Sequence, residues 1–126
     1  MTTEENKELV RRFSRVWQDR NFDVLDEILA TDFVAHRADG SEIPGAAGWK
    51  QFVMDTYSES SEIDTAGDPA ELIANGDLVA ELWSWRSIDN ATGKELRGRG
   101  VTMHRIAGGR LQENWAVFEE QPHASE

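Results

Sequence analysis

Residues 101–120 read VTMHRIAGGRLQENWAVFEE, two alternating runs on either side of Gly108-Gly109. A Gly-Gly pair suits a tight antiparallel turn, so the stretch predicts a β-hairpin. Alternation sends successive side chains to opposite faces of a sheet. One face then carries Thr102, His104, Ile106, Gln112, Asn114, Ala116 and Phe118. The other carries Val101, Met103, Arg105, Leu111, Glu113, Trp115 and Val117. The first set mixes hydrogen-bonding tips with small and aromatic groups, the makeup of a ligand pocket. The second contains a Trp and pairs unlike charges, as a covered or partner-facing sheet does.

Working back from the hairpin, the chain keeps period two. Residues 95–107 and 110–119 are its two strands. Residues 77–88 (DLVAELWSWRSI) predict a long strand, joined to it by an exposed tip at 89–94. Asn75-Gly76 signals another hairpin, to a strand over 63–74 that breaks or bulges near 67–69. In the 77–88 strand, Leu78, Ala80, Leu82, Ser84 and Arg86 are assigned to the pocket side. Val79, Glu81, Trp83, Trp85 and Ser87 are assigned to the outside, where Trp115 joins the two Trp residues. Three indoles on an open face form a large apolar patch, which a second copy of the chain would cover. The opposite assignment inverts the faces and puts these three Trp residues in the core.

The first half has helical period. Residues 2–19 predict a helix with Thr2 and Glu5 at capping-box spacing. Its apolar stripe is Leu9, Val10, Phe13, Val16 and Trp17. Residues 22–30 predict a second helix capped by Asn21, and 32–38 a short strand closed by Asp39-Gly40. A third helix covers 47–58, with Trp49, Phe52, Val53 and Tyr57 on one face. Helices followed by antiparallel strands imply an α+β layer fold, the helices covering one concave face of a bent sheet. One domain is expected over 1–120, with a frayed tail at 121–126.

Composition bounds the function. The 126 residues suffice for a single core. A net charge of −11, with scattered basic residues, argues against nucleic acid or anionic lipid as partner. No apolar run nears the roughly 18 residues of a membrane span. The polar start MTTEENKELVRR does not read as a signal peptide. With no Cys, disulfides, thiolate metal sites and a Cys nucleophile are excluded, and the cytoplasm is the expected location.

The order of helix, helix, DFVAH, a PG loop, GWKQF, IANGDLVAELW and RIAGGRLQENW resembles the SnoaL-like proteins of the nuclear-transport-factor-2-like superfamily, relatives of ketosteroid isomerase and the polyketide ester cyclases. The resemblance spans about residues 5–119. It implies a cone, a curved antiparallel sheet wrapped around three helices and an apolar pocket, usually dimeric through the outer face of the sheet. The ester cyclases carry a His and an Asp on the last hairpin as an acid/base pair. The matching positions here are Thr102 and Ala116, neither of which transfers a proton near neutral pH. The Tyr and two Asp of the ketosteroid isomerases correspond to Phe13, Arg37 and Thr102.

Chemistry must then come from other residues. His104, on the predicted pocket face, is the candidate proton carrier, with Asn114 and Thr102 steadying a carbonyl oxygen. A buried, hydrogen-bonded structural His is the equal alternative. Ligand-binding candidates are Phe13, Trp17, His36, Trp49, Leu82, Ser84, Arg86, Ala116 and Phe118. Among them His36 could equally be a structural strand-end residue, and for Arg86 a solvated place near the hairpin tip is the favoured reading. His36, His104 and His123 lack metal-ligand spacing, so no metal site is expected, and no cofactor. The GRG at 98–100 and the GG at 108–109 precede no helix, so neither is a phosphate loop. Two functions fit. One is an enzyme that moves a proton next to the carbonyl of a small apolar compound, as a cyclase, isomerase or dehydratase does. The other is a non-catalytic dimeric binding or accessory protein that lacks the acid/base pair.

Overall fold

The first helix begins where its cap requires. The computed structural model describes residues 2–64 and 71–121. In it α1 (Thr3–Asp19) has a reciprocal capping box. The Glu5 backbone N–H donates to the Thr2 hydroxyl oxygen at 3.1 Å, and the Thr2 N–H donates to the Glu5 carboxylate at 3.0 Å. Helix α2 (Val24–Ile28) is shorter than the predicted 22–30. It starts after Asp23 rather than Asn21, without a side-chain cap. It stops early because Leu29 already belongs to β1 (Leu29–His36), which pairs with the last strand.

A short β2 (Glu42–Pro44), not foreseen from the sequence, returns along β1. Then come α3 (Ala46–Glu59), β3 (Ser60–Asp64), β4 (Glu71–Asn75), β5 (Leu78–Asp89), β6 (Glu95–Ala107) and β7 (Arg110–Gln121). The predicted 63–74 strand is thus two strands, both antiparallel to β5. The expected break at 67–69 lies outside the described residues, as do 122–126 and His123. Strand β7 runs one residue past the expected domain end.

The sheet order is β2-β1-β7-β6-β5-β3, with β4 also on β5. The β1–β7 pair is parallel and the rest are antiparallel, so the sheet is mixed where a wholly antiparallel one was expected. The fold is the nuclear-transport-factor-2-like α+β cone. Its core joins α1 (Val10, Phe13), α2 (Leu25, Ile28), β1 (Leu29, Phe33), α3 (Trp49, Val53) and the sheet (Val79, Ile106, Leu111). Each fully buried aliphatic or Phe side chain contributes about 1.5–3 kcal/mol.

Two face assignments are corrected by register. Directly opposed residues in an antiparallel pair share a face. Val79 lies opposite His104, Glu81 opposite Thr102, Trp83 opposite Gly100 and Trp85 opposite Gly98. Val79, Glu81, Trp83, Trp85 and Ser87 therefore face inward. Leu82, 47% exposed, faces out together with Ser84 and Arg86. Alternation could not settle this, because both sets of β5 are partly apolar. The glycines settle it: a Cβ on Gly100 would sit 2.8 Å from the Trp83 ring and 2.6 Å from the Val117 carbonyl. A Cβ on Gly98 would sit 2.5 Å from the Glu119 carbonyl and 3.0 Å from the Trp85 ring. The second correction is at the Gly-Gly turn. A register shift after Arg105 sets Ile106 opposite Leu111, which is fully buried rather than outward. Gln112 leaves the inner face and donates to Asp32 at 2.9 Å.

Candidate functional site

Between α1, α3 and the inner face of β5–β7 lies a cavity of about 290 Å³. Its walls are mainly aromatic: Phe13 and Trp17 from α1, Trp49 and Phe52 from α3, Trp83 and Trp85 from β5, Phe118 from β7. Phe13 stacks on Trp49 at 5.4 Å, and Trp49 meets Phe52 at 5.1 Å. The indoles of β5 reach across the strand because Gly98 and Gly100 leave room for them.

Among these rings stands one carboxylate. Glu81 lines the cavity and is only 4% exposed. Ser14 of α1 donates its hydroxyl to Glu81 Oε2 at 2.7 Å. His104 Nε2 meets Glu81 Oε1 at 2.6 Å. His104 is fully buried with its ring edge-on to Phe13, and its Nδ1 has no hydrogen-bond partner. A carboxylate oxygen only accepts, so the ring nitrogen that meets it carries the hydrogen. We therefore assign the proton to Nε2, donating to Glu81. Ser14 and His104 thus fix the carboxylate from two sides and leave lone pairs on both oxygens.

Two neutral groups stand beside it. Thr102, cross-strand from Glu81, accepts from the Trp83 indole N–H at 2.8 Å, so its own O–H is available to a ligand. The Asn114 amide lines the cavity with no side-chain hydrogen bond among the described residues. Its strand neighbour is Ala116, also on the wall.

The sequence candidates sort by this geometry. Phe13, Trp17, Trp49, Thr102, Asn114, Ala116 and Phe118 surround the cavity. His104 does not reach it; it stands behind Glu81. His36 is on the outer side, where its ring stacks on Trp115 at 5.3 Å. There it bonds Glu42 at 2.8 Å and Glu113 at 2.6 Å. The reason is parity: Ala35 of β1 is buried, so His36 points the other way. Leu82 points outward too. Ser84 and Arg86 border the cavity between inward neighbours, but the Arg86 side chain pairs with Glu95 at 2.9 Å on the outer face. Sequence reasoning missed Glu81, Ser14, Arg37, Trp83 and Trp85. The available signal was register: the tip closes by Asp89 N–H to Lys94 O, and counting back from it sets WSW opposite GRG and Glu81 opposite Thr102.

Comparison with known proteins gives the family of the chain. Residues 10–114 match the SnoaL-like domain. The chain belongs to the SnoaL-like family. No curated protein sequence matches it. A solved candidate polyketide cyclase from Acidithiobacillus ferrooxidans is 26% identical, covering 94% of this chain and 92% of its own, with a TM-score of 0.76. A candidate SnoaL-like polyketide cyclase from Jannaschia sp. CCS1 shares the fold at 15% identity, with coverage of 93% and 87% and a TM-score of 0.79. An NTF2-like protein of unknown function from Burkholderia pseudomallei does so at 21% identity, 94% and 92% coverage and a TM-score of 0.79. In this SnoaL-like chain the positions expected for the acid/base pair, Thr102 and Ala116, do line the cavity. The titratable group stands one strand over, at Glu81.

Proposed function

We propose that this SnoaL-like chain is a small-molecule enzyme that moves a proton next to the carbonyl of an apolar compound, with Glu81 as the proton acceptor. The observation that carries the reading is a nearly buried carboxylate, held by Ser14 and His104, opening into an aromatic cavity. Glu81 takes a proton from the carbon beside the carbonyl. The electron pair moves onto the carbonyl oxygen, which accepts hydrogen bonds from the Asn114 amide and the Thr102 hydroxyl. The proton held on Glu81 then returns to another carbon, leaves with a β-hydroxyl as water, or goes to the oxygen of a second carbonyl that the enolate attacks: isomerisation, dehydration or cyclisation. These steps use protein groups alone. His104 is a positioning residue, replacing its expected role as the proton carrier.

The test is hydrogen–deuterium exchange at the α-carbon of 2-tetralone in D₂O, followed by NMR. The wild-type protein accelerates exchange, and Glu81→Gln lowers that acceleration about 10²–10⁴-fold. Binding of the ketone without accelerated exchange would favour the non-catalytic reading instead.

The reading includes a homodimer through the outer face of the sheet. Trp83 and Trp85, expected to form that interface, face the cavity, and only Trp115 of the three Trp residues remains outside. Other groups supply the patch. Ile73 (71% exposed), Leu82, Val101, Met103 and Val117 (67%) lie on adjoining strands, with Leu82 opposite Val101 and Val101 opposite Val117. A Lys at position 117 would be buried unpaired in such an interface. Sedimentation should show a dimer for the wild type and a monomer for Val117→Lys.

A further inference from the structure

Arg37 extends the inward side of β1 past Phe33 and Ala35, which are both buried. Its guanidinium carbon lies 4.7 Å from the Phe52 ring centroid, 5.7 Å from that of Phe118 and 5.8 Å from that of Trp49. It borders both the cavity and a shallow surface depression beside Phe118, which puts it at the rim. Among the described residues no group accepts a hydrogen bond from its guanidinium. The nearby acid, Asp39, gives Oδ1 to the Ser41 N–H at 2.9 Å and to the Ser41 hydroxyl at 2.6 Å. Burial pushes the Arg37 pKa below its usual value, with Asp39 opposing the shift. Even so an arginine keeps its charge. A half-buried guanidinium that stacks on rings and makes no hydrogen bond is a fork without its anion.

The cavity is therefore polarised. Glu81 sits at the level of Thr102 and Ala116, and Phe118 is two residues farther along β7, about 7 Å at the rise of a strand. An anionic ligand is repelled at the Glu81 end and attracted at the Arg37 end. We propose that Arg37 is a carboxylate clamp: the compound deprotonated at Glu81 carries a carboxylate, which the Arg37 fork holds at the rim while the carbonyl end lies against Asn114. The substrate class is thus an aromatic or polycyclic keto acid rather than its neutral ester. The clamp rests on the proton-transfer reading only for calling the ligand a substrate. Its binding role stands apart from it.

The test measures binding of 2-naphthoate and methyl 2-naphthoate by calorimetry. The wild type should bind the acid roughly 10- to 100-fold more tightly than the ester. Arg37→Gln should erase that preference, lowering acid affinity far more than ester affinity. Arg37→Lys, which keeps the charge and loses the fork, should retain part of it, and far-UV circular dichroism checks both variants for folding. Equal wild-type affinity for acid and ester, failure of the acid to bind, or a preference that survives Arg37→Gln overturns the clamp. Glu81→Gln separates the two proposals. If it abolishes tetralone exchange but keeps the acid preference, both hold. If it keeps both exchange and the acid preference, the base assignment fails and the clamp stands as a binding site.

Discussion

Two histidines in this chain each meet a glutamate at 2.6 Å, and they sit on opposite faces of one sheet. His104 is fully buried, has one acid, Glu81, and is wedged edge-on against Phe13. His36 is half-exposed, has two acids, Glu42 and Glu113, and lies flat on Trp115. The same contact has different worth in the two places. Outside, water solvates any group that loses its partner. Inside, the survivor is a buried carboxylate with one donor fewer, and low polarity makes that loss expensive. The sheet thus separates a structural His–Glu contact from one that can do chemistry.

Removing each histidine is the strongest way to break the comparison. His104→Ala strips Glu81 of a donor and opens a cavity, and should cost about 3–5 kcal/mol. His36→Ala should cost about 1 kcal/mol or less, because an exposed pair is screened by solvent. Urea denaturation of both variants checks the contrast. Equal losses would mean that the inner pair is not desolvated as the structure has it.

The next largest effect sharpens why the inner face is shaped as it is. A Cβ at Gly100 meets the Val117 carbonyl, the Phe118 Cβ and the Trp83 ring within 2.8 Å. Two of those atoms are backbone or next to it and cannot swing away. Gly100→Ala should therefore destabilise by about 1–3 kcal/mol. It should also tilt the Trp83 indole, read as loss of its bond to Thr102 in the indole N–H chemical shift. Gly76, whose Cβ would meet nothing within 4 Å, is a packing control, although its φ of +62° adds backbone strain.

Gly100 explains what was and was not legible in the sequence. The hairpin over 101–120, the capping box and the helical stripes were legible, because each depends on neighbours within a few residues; β2 and the division of 63–74 into β3 and β4 were not. The cavity positions Phe13, Trp49, Thr102 and Asn114 were legible too. Glu81 was not. Its face depends on which residue of β6 it meets, and hydrophobic alternation in LVAELWSW favours neither side. The pairing of WSW with GRG would have decided it, since only glycine leaves space for an indole lying across the next strand. His36 was left open and Arg37 was passed over for a related reason: only the burial of Phe33 and Ala35 shows which side of β1 is inward, and that sends His36 out and Arg37 in.

The smallest effect compares two glutamates on neighbouring strands, Glu81 inside and Glu95 outside. Glu95 receives Arg97 and Arg86, and hydrogen bonds from Arg97 first, then Arg86, hold its carboxyl below the ordinary pKa. A carboxylate whose folded-state pKa is depressed stabilises the fold above the unfolded-state value and loses that contribution as pH falls through the folded one. Glu5 behaves in the same sense, through its hydrogen bonds to the Thr2 backbone and side chain. Glu95→Gln should therefore leave stability near pH 7 only slightly lower, yet make the decline on acidification below about pH 4.5 shallower than in the wild type. Urea midpoints measured across that range check it. An unchanged acid limb would show that Arg86 and Arg97 hold Glu95 no more tightly in the folded chain than in the unfolded one.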